Sequence, residues 1–325
     1  MRAAIRTKGQ SWIGVLCGLA AAAIWGGGAV VSRHLVTTSL DPISLVFLRY
    51  VGCFPIALIL VAPFRDRVRL TIGWPRLVAL LLLGGPLYHG LLVAGYQHAT
   101  AGGGALLLSG LLPVFALGLE YLHTGALPRA GLIGSAAVLA GLALFSFGSE
   151  ILDLSFSAFL IFAVAAAAWA LLNSCVKCWR VDPIGLAIAL ALLAPIFLPI
   201  YLIGSPQSEL PATAGEIALQ IVYHGWLVAI GATALFFTCV RLAGAHIAAV
   251  LQVMSPGFSV LFGVAFLGEA VVPAQGIGLM LVFGGVLLTM SSPAHQAPVG
   301  ERALQTIIPR SIPPGLAART RWSRW

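Results

Sequence analysis

Charge is what this chain most lacks. Asp, Glu, Lys and Arg make up 9% of it, against roughly 25% in a soluble domain, while 60% is hydrophobic. That balance leaves too little polar surface to cover a fold in water, so a soluble globular protein is excluded. Carboxylates are scarcer still: ten in all, none near the centre of an apolar run, with Glu120 coming closest. A carboxylate-driven proton antiporter wants one deep in its site, so tight coupling of that kind is disfavoured. No phosphate-cradling loop with its lysine is present, which excludes ATP hydrolysis by this chain. Nor is there a cluster of nucleophile, acid and base, so no enzyme is expected. The five cysteines lie in or near apolar runs, where a disulfide framework is not built. Cys175-Val-Lys-Cys178 has metal or redox spacing, but no second pair or His cluster joins it. Neither metal nor cofactor is expected.

Long apolar runs are what the chain has instead. A membrane-crossing helix needs roughly 20 mainly apolar residues. Ten stretches qualify, at about 12–32, 43–63, 77–97, 103–120, 130–148, 154–176, 184–204, 219–240, 246–267 and 273–291. The 77–119 run carries no charge and holds two spans, with a turn at Gly102, Gly103 and Gly104. The expected fold is therefore an all-α integral membrane protein of ten transmembrane helices.

The net charge of +8 is a topology signal and not a nucleic-acid footprint, because the basic residues occupy every second gap. Arg2, Arg6 and Lys8, then Arg65, Arg67, Arg69 and Arg76, then Arg129, Lys177, Arg180 and Arg241, and last the tail arginines, share one side. The other side holds Arg33 with Asp41, Glu150, Asp153, Glu209, Glu216 and Glu269. By the positive-inside rule both termini face the cytoplasm, in a multi-pass protein of the inner (plasma) membrane. The basic-then-apolar start has the charge order of a signal peptide, but cleavage after Ala21, Ala22 or Ala23 falls inside the span, and the segment reads as retained. Residues 1–11 read as a cytoplasmic segment. Residues 292–325, rich in Pro and Arg, read as a disordered cytoplasmic tail, either solvated or resting on anionic lipid.

Between them lies a weak repeat. Asp41-Pro42-Ile43 returns as Asp182-Pro183-Ile184, each opening the span after a tryptophan-bearing helix, and Leu-Leu-Pro113-Val-Phe returns as Met-Ser-Pro256-Gly-Phe. The halves, 12–148 and 154–291, hold five spans each. Five is odd, so the second enters the membrane inverted, the arrangement in which transporters place a site near the midplane between halves.

Within this frame the chain resembles the drug/metabolite transporter (DMT) superfamily, and in it the EamA-type exporters, over about residues 12–291. The resemblance rests on Trp25-Gly26, Leu48-Arg49-Tyr50, Gly95-Tyr96-Gln97, Ser255-Pro256 and Leu267-Gly268-Glu269, in order within two five-span halves. Two departures stand out: Ala126 where the second half has Glu269, and Leu190 opposite Arg49. The resemblance implies export of a small metabolite, with amino acids or related compounds the leading class. Efflux of drugs or apolar cations is the alternative, and a non-transporting scaffold a further one.

Polar groups at bilayer depth are costly, so each has a functional and a structural reading. Arg49 either holds a carboxylate or phosphate in two hydrogen bonds or is a structural arginine that snorkels. Pro113 and Pro256 free the carbonyls of Ser109 and Gln252, giving either two kinked helices facing a central site or kinks satisfied by neighbours. Tyr88 and His89 sit mid-span, and His89 either carries a proton or is simply hydrogen-bonded; Glu120 is the other proton-coupling candidate. Trp25 and Trp169 read as aromatic walls or packing anchors, with Asn173 one turn beyond Trp169. Tyr223, His224 and Trp226 read as interfacial aromatics, and Gly26, Gly27 and Gly28 as a close helix approach. Spans five and ten are expected to support the bundle or an interface. The expected partners are a small-molecule substrate and membrane lipid, a homodimer being compatible with the sequence.

Overall fold

The structure, a computed structural model, describes residues 8–68, 72–125, 127–147, 155–192, 194–204 and 212–290; the expected N-terminal segment up to residue 7 and the tail from 291 lie outside them. The described residues are almost wholly helical and contain no strand. In the first half, α1 (Lys8–Thr38) and α2 (Pro42–Val68) are followed by α3 (Trp74–Gly84) and α4 (Pro86–Tyr96), then α5 (Ala101–Thr124) and α6 (Arg129–Phe147). In the second, α7 (Phe156–Cys178) precedes α8 (Pro183–Leu192) and α9 (Leu198–Gly204). After them come α10 (Ala214–Gln220), a π-helical stretch (Ile221–Ala232) and α11 (Thr233–Leu242), then α12 (Ala245–Gln252), α13 (Ser255–Leu267) and α14 (Pro273–Met290).

Nine of the expected spans are helices, or stacked helical pieces, long and apolar enough to cross a bilayer. The tenth, expected as one helix over 184–204, is instead α8, a 3-10 turn at Ala194–Phe197, and α9. Pro195 and Pro199 account for this, since each removes an N–H and crowds the preceding turn. The third span is also divided: Pro86 follows Gly85, whose φ of −96° and ψ of −146° leave the helix between α3 and α4. The proline pair behaves asymmetrically. Pro113 is carried inside the unbroken α5, whereas Pro256 opens α13 after a break that ends α12 at Gln252. Matching kinks were expected; only the second half is broken.

The repeated Asp-Pro-Ile is a helix start. Asp41 Oδ1 accepts from the N–H of Ile43 (2.9 Å) and of Ser44 (3.1 Å), and Asp182 Oδ1 from that of Gly185 (2.8 Å). A carboxylate on the first free N–H groups followed by proline at the first helical position suits a helix N-terminus.

The inversion of the halves is visible in how the helices meet. The last helix of each half, α6 and α14, pack together through glycines seven residues apart. A Cβ on Gly134 would meet Gly285 O at 2.6 Å, and one on Gly141 would meet Gly278 O at 2.7 Å. Gly134 therefore faces Gly285 while Gly141 faces Gly278, so equivalent helices run antiparallel. The second helices do the same: α2 and α8 touch at Arg67 O against Gly185, and Phe47 stacks on Tyr201 near the other end. The first helices are exchanged crosswise. α1 packs on α11, α12 and α13, and its counterpart α7 packs on α3, α4 and α5. The fold is thus two inverted five-span repeats related by one approximate two-fold axis.

Candidate functional site

Around that axis the helices enclose a cavity of about 670 Å³. Its wall is mostly apolar, and no Asp or Glu belongs to it among the described residues. α2 lines it along its whole length, from Leu45 and Val46 through Arg49 to Phe64. α1 adds Trp25 and Ser32, α4 adds Tyr88 and His89, α5 adds Ser109, and α7 adds Trp169. The second half contributes Ile188 of α8, then Gln220, His224 and Val228, and Gln252 beside Ser255.

The two ends differ. Where the acidic loops lie, the wall residues Ser32, Leu45, Tyr96, Ala105 and Gln220 are buried. Toward the basic loops Ala187, Ala234 and Phe237 are exposed, so the cavity opens at that end. Toward the closed end the side of the cavity is sealed by α2 packing on the π-helical stretch. A Cβ on Gly52 would meet Ile221 O at 2.7 Å and Gly225 Cα at 3.1 Å. Around that contact, Gln220 Nε2 donates to Leu45 O (2.8 Å), Trp226 Nε1 to Gly52 O (3.0 Å) and the Cys53 thiol to Gly225 O (3.3 Å).

Among the described wall residues Arg49 is the one fixed charge. It has no ion-pair or hydrogen-bond partner among the described residues, although its neighbours are well tied. Tyr50 OH meets His89 Nδ1 at 3.2 Å, and the same nitrogen lies 2.9 Å from Gly85 O. A carbonyl only accepts, so Nδ1 carries the hydrogen and the His89 Nε2 is left as an acceptor. Gly85 O also accepts the backbone N–H of His89 (3.1 Å), a first-turn bond of α4. Beside it Tyr88 and Trp169 stack at 4.6 Å and 26°, and across the cavity Trp25 packs on Phe236 at 5.5 Å.

The remaining sequence landmarks hold helices to one another. Gly26 lets α13 approach so closely that a Cβ would meet Ser255 O at 2.7 Å, and Ser259 Oγ donates to Gly26 O (3.0 Å). Arg33, the lone basic residue on the acidic side, donates to Tyr96 O (2.6 Å) and Gln97 O (3.1 Å) at the C-terminus of α4, where a cation suits the helix dipole. Glu269 Oε1 accepts from the Ala101 N–H (2.8 Å) at the N-terminus of α5, where an anion does. Each couples a resemblance motif of one helix to the end of another.

Against this geometry the sequence profile of the EamA-like transporter family matches residues 12–147 and, a second time, 156–291. The chain belongs to the EamA-like transporter family. As an EamA-like protein it is a membrane transporter of the DMT superfamily. A solved crystal structure of a protein superposes on the EamA-like fold with a TM-score of 0.58 at 20% identity, covering 85% of this chain and 95% of its own. That likeness concerns the fold. No curated protein matches the chain.

Of the residues singled out in the sequence, Trp25, Arg49, Tyr88, His89, Ser109, Trp169 and Gln252 lie on the wall of this cavity. Asn173 does not. It is exposed on the outer face of α7, whose buried face runs through Phe162, Ala166 and Ala170. Glu120 is buried toward the basic end of α5 and is not a wall residue.

The reading of Tyr223, His224 and Trp226 as interfacial aromatics is corrected. Tyr223 OH donates to Ile24 O (3.1 Å), Trp226 to Gly52 as above, and His224 is buried on the cavity wall. The helix starts earlier than the charge pattern implies. Thr213 and Glu216 form a capping box, each side chain holding the other's backbone N–H, so His224 lies nearly three turns inside. Thr213-Ala-Gly-Glu216 is the signal that places the start there.

Proposed function

We propose that the cavity is the alternating-access transport site for small metabolites bearing a carboxylate, amino acids or related compounds, exported across the inner membrane. The observation that carries this is Arg49, a cation on a largely apolar wall with no protein partner among the described residues. A guanidinium kept inside a membrane without a counter-ion is costly, and a planar carboxylate satisfies it with two hydrogen bonds. The stacked Tyr88 and Trp169, with Trp25 opposite, supply apolar faces for the rest of the molecule. The volume suits a ligand of metabolite size.

The positive-inside rule puts the basic loops in the cytoplasm, so this conformation accepts substrate from within and is closed outside. Exchange of the packing of the two inverted halves gives the outward-open form. With no Asp or Glu among the described wall residues, movement down the substrate gradient is favoured over carboxylate-driven antiport, and of the two proton-coupling candidates, His89 and Glu120, His89 is the one on the wall. The aromatic wall also supports efflux of apolar drugs, whereas Arg49 opposes cationic ones.

Counterflow in proteoliposomes preloaded with unlabelled compound tests the reading without an imposed ion gradient. Labelled carboxylates are expected to accumulate with wild-type protein and to lose at least tenfold in initial rate with Arg49→Gln, the worth of one buried charged hydrogen bond. Uptake unchanged by Arg49→Gln rules the arginine out as the anion site. Uptake of cationic drugs but not carboxylates replaces the substrate class.

A further inference from the structure

The short connection between α7 and α8, Trp179 to Asp182, collects arginines from two other helices. Arg76 of α3 holds its guanidinium 5.4 Å over the Trp179 ring. Arg67, near the end of α2, has Nη1 4.0 Å from Asp182 Oδ2, beyond hydrogen-bond length. Arg180 sits between these two contacts. Four residues span about 11 Å of chain at most, so the three arginines share one patch on the basic-loop face. None of the three side chains donates a hydrogen bond to another described residue. The segments 65–76 and 177–182 together hold six basic residues and two acidic ones, Asp66 and Asp182, and Asp182 is already engaged as the cap of α8. The patch therefore carries positive charge in excess.

Arg180 is held there against its backbone preference. Its φ is 52°, and the other positive-φ positions among the described residues, Gly73, Gly125, Gly244 and Gly268, are all glycine. The cause is the way α7 ends. Val181 N–H donates to Val176 O (3.0 Å) and Arg180 N–H to Lys177 O (3.3 Å), the Schellman pairing, whose left-handed residue is usually glycine. α5 and α13 do end on glycine, Gly125 and Gly268, each with φ of 68°. A side chain in this conformation crowds the following carbonyl, and such an outlier points to a use for the side chain.

The patch lies where helices leave the bilayer. Trp74, 75% exposed at the start of α3, and the half-buried Trp179 are residues of the kind that sit at headgroup level. One and two turns further along α3, Val78 and Leu82 are exposed as well. We propose that Arg67, Arg76 and Arg180 form a binding site for the phosphate of an anionic phospholipid in the leaflet on the basic-loop side. Guanidinium forks hold phosphate oxygens, and basic pockets between helices on the cytoplasmic side take such headgroups. A free phosphate offers the same oxyanion but no acyl chain for the apolar face of α3. α2 and α3 belong to the first half and α7 and α8 to the second, so one headgroup touches both halves at the end where the cavity opens.

Thermal unfolding of the full-length protein in a neutral detergent, with added phosphatidylglycerol, phosphatidylcholine or inorganic phosphate, tests this. Phosphatidylglycerol should raise the midpoint, because a ligand bound to the folded state stabilises it, and the other two should not. Arg76→Gln and Arg180→Gly should each raise the lipid concentration giving half the shift by about fivefold, the worth of one basic residue near an anionic surface. Without anionic lipid, Arg180→Gly should unfold no earlier than wild type, since glycine suits a φ of 52°. Its weaker lipid response is then no folding defect. Arg129→Gln removes a charge at the exposed start of α6 and should leave the response unchanged. Equal protection by inorganic phosphate overturns the lipid as occupant, and an equal effect of Arg129→Gln overturns the site in favour of diffuse charge. Full lipid response in Arg180→Gly, or a lower midpoint of that variant in phosphatidylcholine, overturns the part given to Arg180. No shift with phosphatidylglycerol overturns the whole proposal.

Discussion

The seal between α2 and the π-helical stretch makes a definite demand on Gly52. A methyl group there meets the carbonyl oxygen of Ile221 at 2.7 Å and Gly225 Cα at 3.1 Å. Both are backbone atoms, so no side chain can swing aside, and the two helices must part by several tenths of an ångström. Overpacking of this kind costs about 1–3 kcal/mol, and the cost falls only on the conformation in which the seal is closed. Gly52→Ala should therefore raise the population open at the acidic-loop end by roughly 5–150-fold relative to the closed one. Cys53 reports it from inside the seal, where its thiol is buried against Gly225 O. With Cys17, Cys175, Cys178 and Cys239 replaced by alanine, a membrane-impermeant maleimide added on the acidic-loop side should label Cys53 slowly in the parent. In the Gly52→Ala variant it should label faster by up to that factor. Val51→Ala, at an exposed neighbouring position, controls for general loosening and should leave the rate unchanged. Equal labelling rates in parent and Gly52→Ala, in folded protein, would mean that the Gly52 contact does not close the cavity.

Two further outcomes follow from the packing. Gly285→Leu places a side chain 2.6 Å from Gly134 O and 2.8 Å from Val138 N, so it should force α6 from α14, cost about 3 kcal/mol, and lower the thermal unfolding midpoint in detergent. Trp169→Ala removes the face stacked on Tyr88 and should slow aromatic-substrate counterflow at least severalfold, while Asn173→Ala, exposed on the far face of α7, should leave it unchanged; equal effects of the two would break the assignment of the wall.

Much of the fold was legible because a bilayer constrains sequence so strongly. Charge-free runs gave the spans, and Asp-Pro-Ile with the two prolines gave the repeat. Where the reading failed, the information was local and conformational. Pro195 and Pro199 divide a span whose hydrophobicity is unbroken, and Pro113 and Pro256 look alike in sequence yet only the second breaks its helix. Arg49, Trp25 and Gln252 could be singled out because polarity or size at bilayer depth is conspicuous by position alone. His224 was misread because its helix begins at a capping box with an acid in the first turn, which a charge count mistakes for loop. Gln220 escaped for the same reason. Asn173 shows the converse error, since a residue four along from a wall residue rotates by 40° and, near a helix end, falls off the face.

The glycine contact of α6 with α14 bears on how such a chain arises. Gly134 meets Gly285 and Gly141 meets Gly278, so each repeat presents the same surface to the other, as two identical subunits do across an isologous interface. A half-length ancestor with one such helix already owned both sides of the joint, provided that some copies entered the membrane in each direction. Joining two copies end to end makes that mixture unnecessary, because an odd number of spans reverses the second copy automatically. Once reversed, the halves were free to diverge, and an arginine could be kept in one and become Leu190 in the other.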